Sequence, residues 1–550
     1  MAEKLTELFH CMWRKEAIPQ ELKDASIIHL YKRKGNAQVC DNHRGISLMS
    51  IAGKILAKIL LNRLNKHLDQ ASLLPESQCG FRKDRGTTDM IFTVRQLQEK
   101  CQEQNVDLYM TFVDLTKAFD TVSRDGLWKI MAKFGCPAKF IAMVRQFHDG
   151  MLARVQNDGE FSEPFPVTNG VKQGCVLAPT LFSMMFSAML TDASQGRDDG
   201  FAINYRFDGK LFNLRRLKAK SKVQTDVLDE LLYANDMAKN ASTEEKMQNA
   251  MDRVSQACEN YDLKISTKKT EVVYQPAPGK SYSEPTITVN GQKLQVVDKF
   301  TYLGSTLSRV VHIDDEVTAR IAKASVAFGR LRGNVWDRSG IRLDTKLKVY
   351  QAVVLPTLLY ACETWTVYKR HAKRLNHFHL SCLRKLLKIR WQDKIPDTEV
   401  LKRAGMQSVY TLLKTAQLRW SGHLIRMPDE RLPKKVFYGE LQVGERSQGG
   451  QKKRYKDSLK ASLKDFSIPP ESWEQVAQDR AQWRYLIRKG ADNYEAKRTS
   501  EAERKRTERK SRAIQPPLDP ALSGLTCSIC NRQFRARIGL ISHQRTHQHT

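Results

Sequence analysis

The sequence lacks a long hydrophobic run, a cysteine framework and a signal peptide. Its most apolar stretch, residues 175–190, is interrupted by Pro179 and is shorter than the roughly 20 apolar residues that a membrane-spanning helix needs. Among 11 cysteines only Cys527 and Cys530 form a close pair, and scattered cysteines are typical of a reducing compartment. The first residues show no basic and apolar leader pattern. These absences argue against a secreted or membrane protein and predict an intracellular one.

Acidic residues are also scarce relative to basic ones. The 550 residues contain 91 Lys and Arg against 60 Asp and Glu, which gives a formal net charge of +31. A charge of this size favours a polyanionic partner, nucleic acid before membrane. Trp391, Trp420, Trp473 and Trp483, which lie among the basic residues, favour nucleic acid over the alternative of a merely soluble basic protein. The length predicts more than one domain.

Two predicted strands end in acidic residues. Residues 227–241 read as a strand, a tight turn at Asn235-Asp236 and a second strand beginning at Met237, because Asn and Asp both tolerate positive φ. Residues 108–114 read as another strand, which ends in Asp114. A hairpin tip lifts its carboxylate clear of a sheet, so Asp236 could meet Asp114 if the strands are neighbours.

These stretches resemble the catalytic motifs of reverse transcriptases from non-LTR retrotransposons. Phe112-Val113-Asp114 followed by Ala118-Phe119-Asp120 resembles their first aspartate motif, and residues 233–236 (Tyr-Ala-Asn-Asp) resemble their Tyr-Ala-Asp-Asp hairpin. Asn235 stands where the family has the first hairpin aspartate. Either motif alone is equally explained as a core strand that ends in a polar turn, but together and in order they favour the resemblance.

The resemblance implies an α+β fold of the right-hand polymerase type, with fingers, palm and thumb. A helical C-terminal extension and a small ββα zinc finger are expected to follow, and the endonuclease domain that such elements usually carry upstream is not expected in this chain. The predicted divisions are 1–75 (N-terminal extension and fingers), 76–310 (fingers and palm), 311–360 (thumb), 361–495 (helical region), 496–525 (charged linker) and 526–550 (zinc finger).

Further blocks, residues 78–89, 170–179, 263–271 and 300–304, also resemble those of the family and imply roles for individual residues. By resemblance the residues are assigned as follows: Lys32, Lys34 and Arg44 to the triphosphate; Arg82, Gln173 and Gly174 to the template or nucleotide; Phe119 to exclusion of a ribose 2′-hydroxyl; and Lys268 or Lys269 to the pyrophosphate leaving group. Without the resemblance, the lysines near residue 32 read as a solvated loop and Phe119 as a core anchor.

The same resemblance implies two Mg²⁺ ions, bound by Asp114, Asp236 and the backbone carbonyl of Val113. Magnesium prefers carboxylate oxygens, and two-metal sites hold their ions about 3.5–4 Å apart. Asn235 keeps one oxygen but removes a full negative charge. If this costs ~3 kcal/mol of transition-state stabilisation, the rate falls ~10²-fold. Asp120 belongs to the helix side of its motif and is not expected to replace the missing acid.

The C-terminus carries the spacing of a two-cysteine, two-histidine zinc finger. Cys527-x2-Cys530 is followed after twelve residues by His543-x3-His547, and a domain this small depends on its metal to fold. The base-contact positions would be Ala536, Gly539 and Ser542. None of these makes the bidentate contacts that discriminate bases, whereas nearby arginines suit phosphates. The finger is therefore predicted to hold one Zn²⁺ and to bind a nucleic-acid backbone with little sequence preference.

Two other polar segments have simpler explanations. His371, His377, His379 and Cys382 suggest a zinc site, but an apolar stripe at helical spacing explains Cys382 without metal. The charged run of residues 495–512 is open to three interpretations, namely an exposed helix, a nucleic-acid-binding arm and a nuclear signal.

Two function classes follow. The first is an enzyme, an RNA-templated DNA polymerase impaired by Asn235, with RNA template, DNA primer and deoxynucleoside triphosphates as partners and no membrane. The second is a nucleic-acid-binding protein that keeps the polymerase fold without turnover. A zinc-finger transcription factor is a third alternative, disfavoured by the weak base-reading positions. A nuclear location is expected, and the sequence leaves the oligomeric state open.

Overall fold

The computed structural model describes residues 2–33, 35–194, 199–219, 221–447, 449, 452–514, 525–534 and 537–548. No helix in these ranges is both long and apolar enough to cross a membrane. The α-helices are α1 (Ala2–Lys15), α2 (Gln20–Lys23), α3 (Ile51–Gln70), α4 (Thr87–Glu103), α5 (Arg124–Lys133), α6 (Ala138–Gln146), α7 (Ala178–Ala193), α8 (Glu244–Asn260), α9 (Asp314–Arg330), α10 (Leu343–Val349), α11 (Leu355–Leu358), α12 (Lys369–Leu386), α13 (Asp397–Ala404), α14 (Val409–Arg426), α15 (Leu432–Tyr438), α16 (Tyr455–Asp465), α17 (Trp473–Gln478), α18 (Arg480–Ile514) and α19 (Arg537–Gln544).

The strands alternate with helices up to residue 308 and are sparse beyond it, which agrees with the predicted α+β class. The strands are β1 (Ala25–Tyr31), β2 (His43–Leu48), β3 (Leu108–Val113), β4 (Leu152–Asn157), β5 (Glu160–Phe161), β6 (Phe165–Pro166), β7 (Phe201–Tyr205), β8 (Gln224–Leu228), β9 (Glu230–Tyr233), β10 (Asp236–Ala241), β11 (Glu271–Gln275), β12 (Thr288–Val289), β13 (Gln292–Lys293), β14 (Gln295–Val296), β15 (Lys299–Tyr302), β16 (Ser305–Ser308) and β17 (Glu440–Leu441).

A five-stranded sheet, in the order β14-β11-β3-β10-β9, lies at the centre of the first 310 residues. Strand β3 is antiparallel to both β10 and β11, with Val113 opposite Met237. Every residue of β3 is buried, because helices cover both faces of the sheet. A second sheet, β2-β1-β4-β5, joins the N-terminal strands to the segment after α6.

One face of the central sheet packs on an apolar core formed with α3, α5, α6, α7 and α8. Helix α8 begins after Thr243, whose hydroxyl caps it by accepting a hydrogen bond from the Lys246 amide at 3.2 Å. The sequence pattern predicts Thr243 as the N-cap of this helix and one apolar core stripe, formed by Met247, Ala250, Met251, Val254, Ala257, Cys258 and Tyr261. This stripe is buried from Met247 to Cys258, with Tyr261 half-buried. The predicted cap and core face of this helix are therefore confirmed.

The apolar pattern of Ile51, Ile55, Ile59 and Leu64 predicts one face of a helix, but most of that face is exposed in α3. Ile51 is 79% exposed, and Ile55 and Ile59 are 40% and 38% exposed. The buried face instead carries leucines of the same helix, of which Leu64 is the one that the sequence pattern included. Periodicity identified the helix correctly, but a helix with apolar residues on two faces does not reveal which face meets the core.

Helix α4 packs against the other face of the central sheet and is buried along nearly its whole length. Its polar residues are satisfied by distant segments rather than by water. Lys100 donates to the Gly439 carbonyl at 2.6 Å, and Arg95 donates to the Ser305 hydroxyl at 2.9 Å. Glu99 accepts from the Tyr455 amide at 2.8 Å, and burial raises the pKa of its carboxyl to about 7. Helix α4 thus joins the central sheet to the C-terminal helices.

The helices beyond residue 310 form two further apolar cores, one around α9 to α13 and one around α14, α16, α17 and α18. Trp420, Trp473 and Trp483 are 9%, 0% and 1% exposed, so they are core residues and give no support to nucleic-acid binding. Only Trp391 of the four is exposed, at 83%. The basic excess remains the argument from composition for a nucleic-acid partner.

The predicted charged linker is partly helical. Helix α18 continues through residue 514, so residues 496–514 extend it, which agrees with the exposed-helix alternative for the charged run. Residues 515–524 lie outside the described part of the chain.

The contact between α14 and α18 depends on Gly422. A Cβ there would lie 2.1 Å from Nε1 of the buried Trp483, which donates to the Leu418 carbonyl at 3.1 Å. We expect Gly422→Ala to force these helices apart, at a cost of about 1–3 kcal/mol, and to lower Tm by several degrees in differential scanning fluorimetry. The control is Gly329→Ala in α9, where a Cβ meets nothing within 4 Å. An equal Tm for Gly422→Ala and the wild type would contradict this packing argument.

Candidate active site

The hairpin of β9 and β10 turns at Ala234 and Asn235, one residue earlier than the sequence predicted. Asp236 pairs with Tyr233 and already belongs to β10. Ala234 adopts positive φ, at 58°. The preference of Asn and Asp for positive φ therefore predicted a turn correctly but placed it at the wrong residues, because the side chain of Gln78 and a neighbouring glycine impose the turn on Ala234.

Gln78 holds this turn from below. Its buried Oε1 accepts hydrogen bonds from the amides of Ala234 and Gly80, both at 2.9 Å, and its Nε2 donates to the Ala234 carbonyl at 3.2 Å. A Cβ on Gly80 would lie 2.1 Å from the Ala234 nitrogen, so only glycine permits this approach. The sequence offered Gln78 within a recognised block but gave it no role, since nothing local shows which distant amide it would meet.

Asp114 and Asp236 lie together at one end of the central sheet. Val113 pairs with Met237 in antiparallel register. Asp114, which follows Val113, and Asp236, which precedes Met237, therefore lie at the same end of the sheet. The pKa of Asp236 is raised, first by desolvation and then by the charge of Asp114, while Arg44 lowers it. The two predicted acids are therefore neighbours, and the charge of Asp114 disfavours ionisation of Asp236.

The segment after α8 runs beside the chain that follows β3 and completes the surroundings of Asp114. The amide of Ser266 donates to the Asp114 carbonyl at 2.8 Å, and the buried Thr270 hydroxyl accepts from the Asp114 amide at 3.3 Å. Lys269 forms an ion pair with Asp114, with Nζ 3.2 Å from Oδ2. Lys268 is exposed and has no recorded partner among the described residues, so the structure places Lys269, not Lys268, at the carboxylates. Thr270 was missed because a threonine after two lysines carries no sequence signal.

The two acids fit a divalent cation. Oδ2 of Asp114 is buried and, apart from its ion pair with Lys269, has no hydrogen-bond partner among the described residues, and carboxylate oxygens are the ligands that Mg²⁺ prefers. Asn235 is half-buried at the turn, adjacent to Asp236. Val113 lies within β3, one residue before Asp114. The pKa of Asp120 is raised by burial and lowered in part by Lys117, with no contribution from Asp114 or Asp236, so Asp120 does not join the pair.

Phe119 contacts α7, and Gln173 and Gly174 contact β2. Phe119 is half-buried, and its ring lies 4.8 Å from that of Phe182. The Gln173 carbonyl accepts from the Ser47 amide at 2.8 Å. Gly174 has φ of 115°, and a Cβ there would lie 2.4 Å from the Ser47 carbonyl oxygen. The absence of a side chain at Gly174 therefore allows the segment before α7 to approach the backbone of β2 closely.

The predicted phosphate-binding residues fall into different environments. Arg44 is exposed on β2 and close enough to Asp236 to influence its pKa. Lys32 is exposed at the end of β1 and donates to the Asp41 carbonyl at 2.8 Å, and Lys34 lies outside the described residues. Arg82 has only 9% side-chain exposure and donates to the carbonyl of Pro75 at 2.8 Å. Its contacts hold the loop that carries Gln78, so the structure gives Arg82 a positioning role.

The β15–β16 hairpin supports the central sheet below the acids. Phe300 stacks on Phe112 with ring centroids 4.0 Å apart. The Tyr302 hydroxyl donates to the Leu231 carbonyl at 3.1 Å. The block of residues 300–304 is thereby placed directly beneath β3 and β9.

A second candidate site lies at the C-terminus. The ligand atoms of Cys527, Cys530, His543 and His547 all lie within 4.8 Å of one another, and this is the only such group in the described part of the chain. The donor set of two thiols and two imidazoles suits tetrahedral zinc. Gly539 and Ser542 lie on α19, whereas Ala536 lies outside the described residues.

The group around His371 and His379 is held by protein contacts. The His379 ring bonds to the Tyr350 hydroxyl at 2.8 Å, and Nε2 of His371 lies 3.1 Å from Asp314. Cys382 is buried in the apolar core of α12. Among the described residues these side chains form no metal-ligand group, in agreement with the apolar-stripe interpretation.

Comparison with known proteins identifies relatives of the region that contains Asp114 and Asp236. Residues 31–307 match the family described as reverse transcriptase (RNA-dependent DNA polymerase). The chain is 26% identical over 385 residues to the RNA-directed DNA polymerase from mobile element jockey of Drosophila melanogaster, and 25% identical over 398 residues to that of Drosophila funebris. These alignments cover 69% and 72% of this chain but only 39% and 41% of the relatives, so the chain spans about two fifths of their length.

Among solved structures, telomerase from Candida tropicalis in complex with a fragment of telomeric RNA aligns with a TM-score of 0.37 and 13% identity. The alignment covers 79% of this chain and 67% of the telomerase chain.

The Gln78 contacts generate a stability prediction. Gln78→Leu conserves the approximate volume but leaves two buried amides without acceptors, at a cost of about 1–3 kcal/mol for each buried group, so Tm should fall by roughly 2 °C or more in differential scanning fluorimetry.

A matched control is Gln96→Leu in α4. Gln96 is equally buried, and its Oε1 has no hydrogen-bond partner among the described residues, so the change should leave Tm unchanged or raise it. An equal fall in Tm in the two variants would mean that the hydrogen bonds of Gln78 do not contribute to stability.

Proposed function

The chain belongs to the reverse transcriptase family, and on that premise we propose that it extends a DNA primer on an RNA template, at a rate impaired by Asn235. The observation that carries the proposal is the juxtaposition of Asp114 and Asp236 at one sheet end, with Lys269 paired to Asp114. Its relatives are named as RNA-directed DNA polymerases of mobile elements, which supports RNA as template.

The carboxylates would hold the divalent ions that the reaction uses. Asp114 and Asp236, with the Val113 carbonyl, are the proposed ligands. Bound Mg²⁺ would activate the primer 3′-hydroxyl and neutralise charge on the transferring phosphoryl group. Lys269 is positioned to stabilise negative charge beside Asp114, which makes it the proposed partner of the pyrophosphate leaving group. Lys268, exposed and next in sequence, is proposed to contact phosphate more loosely.

The surrounding residues would bind and orient the substrates. Arg44, Lys32 and Lys34 are proposed to contact the triphosphate, where the planar guanidinium of Arg44 is suited to paired phosphate oxygens. Phe119, held against Phe182, is proposed to exclude a ribose 2′-hydroxyl. Gln173 is proposed to contact the template or nucleotide.

Asn235→Asp tests the proposed defect. We expect this change to raise the rate of primer extension on poly(rA)–oligo(dT) with Mg²⁺ or Mn²⁺ by ~10²-fold, because it restores a negative charge beside bound cations. Asn493→Asp, which adds the same charge at an exposed position of α18, should leave the rate unchanged. A wild-type rate that Asn235→Asp does not increase would show that the amide is no defect.

Asp114→Ala tests the enzyme against the alternative of a binding protein without turnover. If the chain polymerises, the alanine variant should lose all extension in both the wild-type and Asn235→Asp backgrounds. If neither the wild-type protein nor the Asn235→Asp variant extends the primer, and both still bind nucleic acid, the second function is favoured. That alternative is supported by the high positive charge, which does not require catalysis.

The C-terminal group is proposed to hold one Zn²⁺ and to bind nucleic-acid backbone. Cys527→Ser should reduce the zinc content of the purified protein from about one ion per chain to near zero, measured by elemental analysis, because a thiolate ligand is lost. Cys40→Ser, at an exposed cysteine of β2's flank, is the control and should retain the ion. Unchanged zinc in Cys527→Ser would exclude this site.

A further inference from the structure

A groove of about 1090 Å³ runs between α14 and α18, and neither Asp114 nor Asp236 lines it. Its floor includes the buried residues Trp483, Ile487 and Ala491 of α18. The close contact at Gly422 and the bond from Trp483 to the Leu418 carbonyl fix the two walls relative to each other. The groove is therefore a preformed feature of the helical packing.

Arginine dominates the walls. Five arginines line the groove, and Asp84 is the only acidic lining residue: Arg419, Arg426, Arg480, Arg484 and Arg488. Burial lowers the pKa of Arg426, and the charges of Arg480 and Arg484 lower it further. The like charges therefore repel one another across the groove.

These arginines differ from others of the C-terminal region in lacking acidic partners. Arg431 pairs with Asp89 at 2.9 Å, and Arg384 pairs with Asp397 at 2.5 Å. Within the part of the chain that the structure describes, none of the five groove arginines has a recorded ion pair. Arg426 donates to the Ala477 carbonyl, which leaves its charge without a counter-ion. A groove lined by guanidinium groups without acidic partners attracts anions from outside.

The spacing favours a repeating anion over a single ion. Arg480, Arg484 and Arg488 follow each other at four-residue intervals, so they form one row along α18 with a rise of about 6 Å between neighbours. Arg419 and Arg426 stand on the opposite wall. Tyr485, 53% exposed, also lines the groove and offers a ring on which a base can stack.

We propose that this groove binds the sugar-phosphate backbone of RNA, as a site distinct from the paired carboxylates. The arginine rows bind successive phosphates and Tyr485 stacks on a base. DNA carries the same phosphates, so the backbone contacts are shared and the test separates the two nucleic acids. Binding here depends on no catalytic step, so it stands or fails independently of polymerase activity.

The test is fluorescence anisotropy of a labelled 30-nucleotide RNA with the full chain across a salt series. The triple variant Arg480→Gln, Arg484→Gln, Arg488→Gln should weaken binding at least tenfold and reduce the slope of log K against log salt by about 2, since each lost phosphate contact on a single strand removes roughly 0.7. The charge-matched control is Lys464→Gln, Lys489→Gln, Lys497→Gln, three exposed lysines outside the groove, with an expected loss under about twofold.

Additional variants and competitors in the same assay identify the ligand and control for misfolding. The triple Arg→Lys variant should keep most of the binding. An equal loss on DNA of the same sequence assigns the groove to any nucleic-acid backbone. Equal losses in the glutamine triple and the lysine control, or displacement of the RNA by polyglutamate at the same charge concentration as by unlabelled RNA, would overturn the proposal.

Discussion

Two carboxylates held side by side are the constraint on which the site depends. Asp114 and Asp236 repel each other, and the fold holds them together through the antiparallel register of β3 and β10 rather than through contacts of their own. The surrounding contacts resist that repulsion: Gln78 fixes the turn before Asp236, and Thr270 and Ser266 fix the backbone of Asp114. A site organised in this way has its two carboxylates in place before any ligand binds.

Helix α4 explains why the central sheet and the C-terminal helices form one structure. Buried polar side chains are costly unless each is paired, and α4 pairs them with residues more than 200 positions away, as Arg95 does with Ser305 and Lys100 with Gly439. Arg431 adds a buried ion pair to Asp89 at the start of the same helix. Loss of either partner would leave an uncompensated charge, so the C-terminal helices are required for the stability of the sheet that carries the acids.

Features determined by local pattern could be predicted from the sequence, and those determined by distant packing could not. Strand β1, the capped helix α8 and the strand ending at Asp114 follow from periodicity and capping. The turn at Ala234 follows from Gln78, about 150 residues earlier, so turn propensity placed it one residue late. The tryptophans read as nucleic-acid contacts because composition cannot distinguish a core indole from an exposed one. The sequence could not distinguish Lys268 from Lys269, and only the fold shows that Lys269 is the one that pairs with Asp114.

Asn235 acts on a local balance of charge. Asp114 and Asp236 supply two negative charges, and Lys269 and Arg44 supply two positive charges in their vicinity. With an amide at residue 235 the local sum is close to zero, which gives a divalent cation little electrostatic reason to bind. A third carboxylate would make the sum negative while leaving the backbone unchanged, since Asp and Asn have nearly the same shape. On the proposed function, Asn235 therefore acts on the attraction of the cation and not on the geometry of the hairpin, which Gln78 and Gly80 set independently of that side chain.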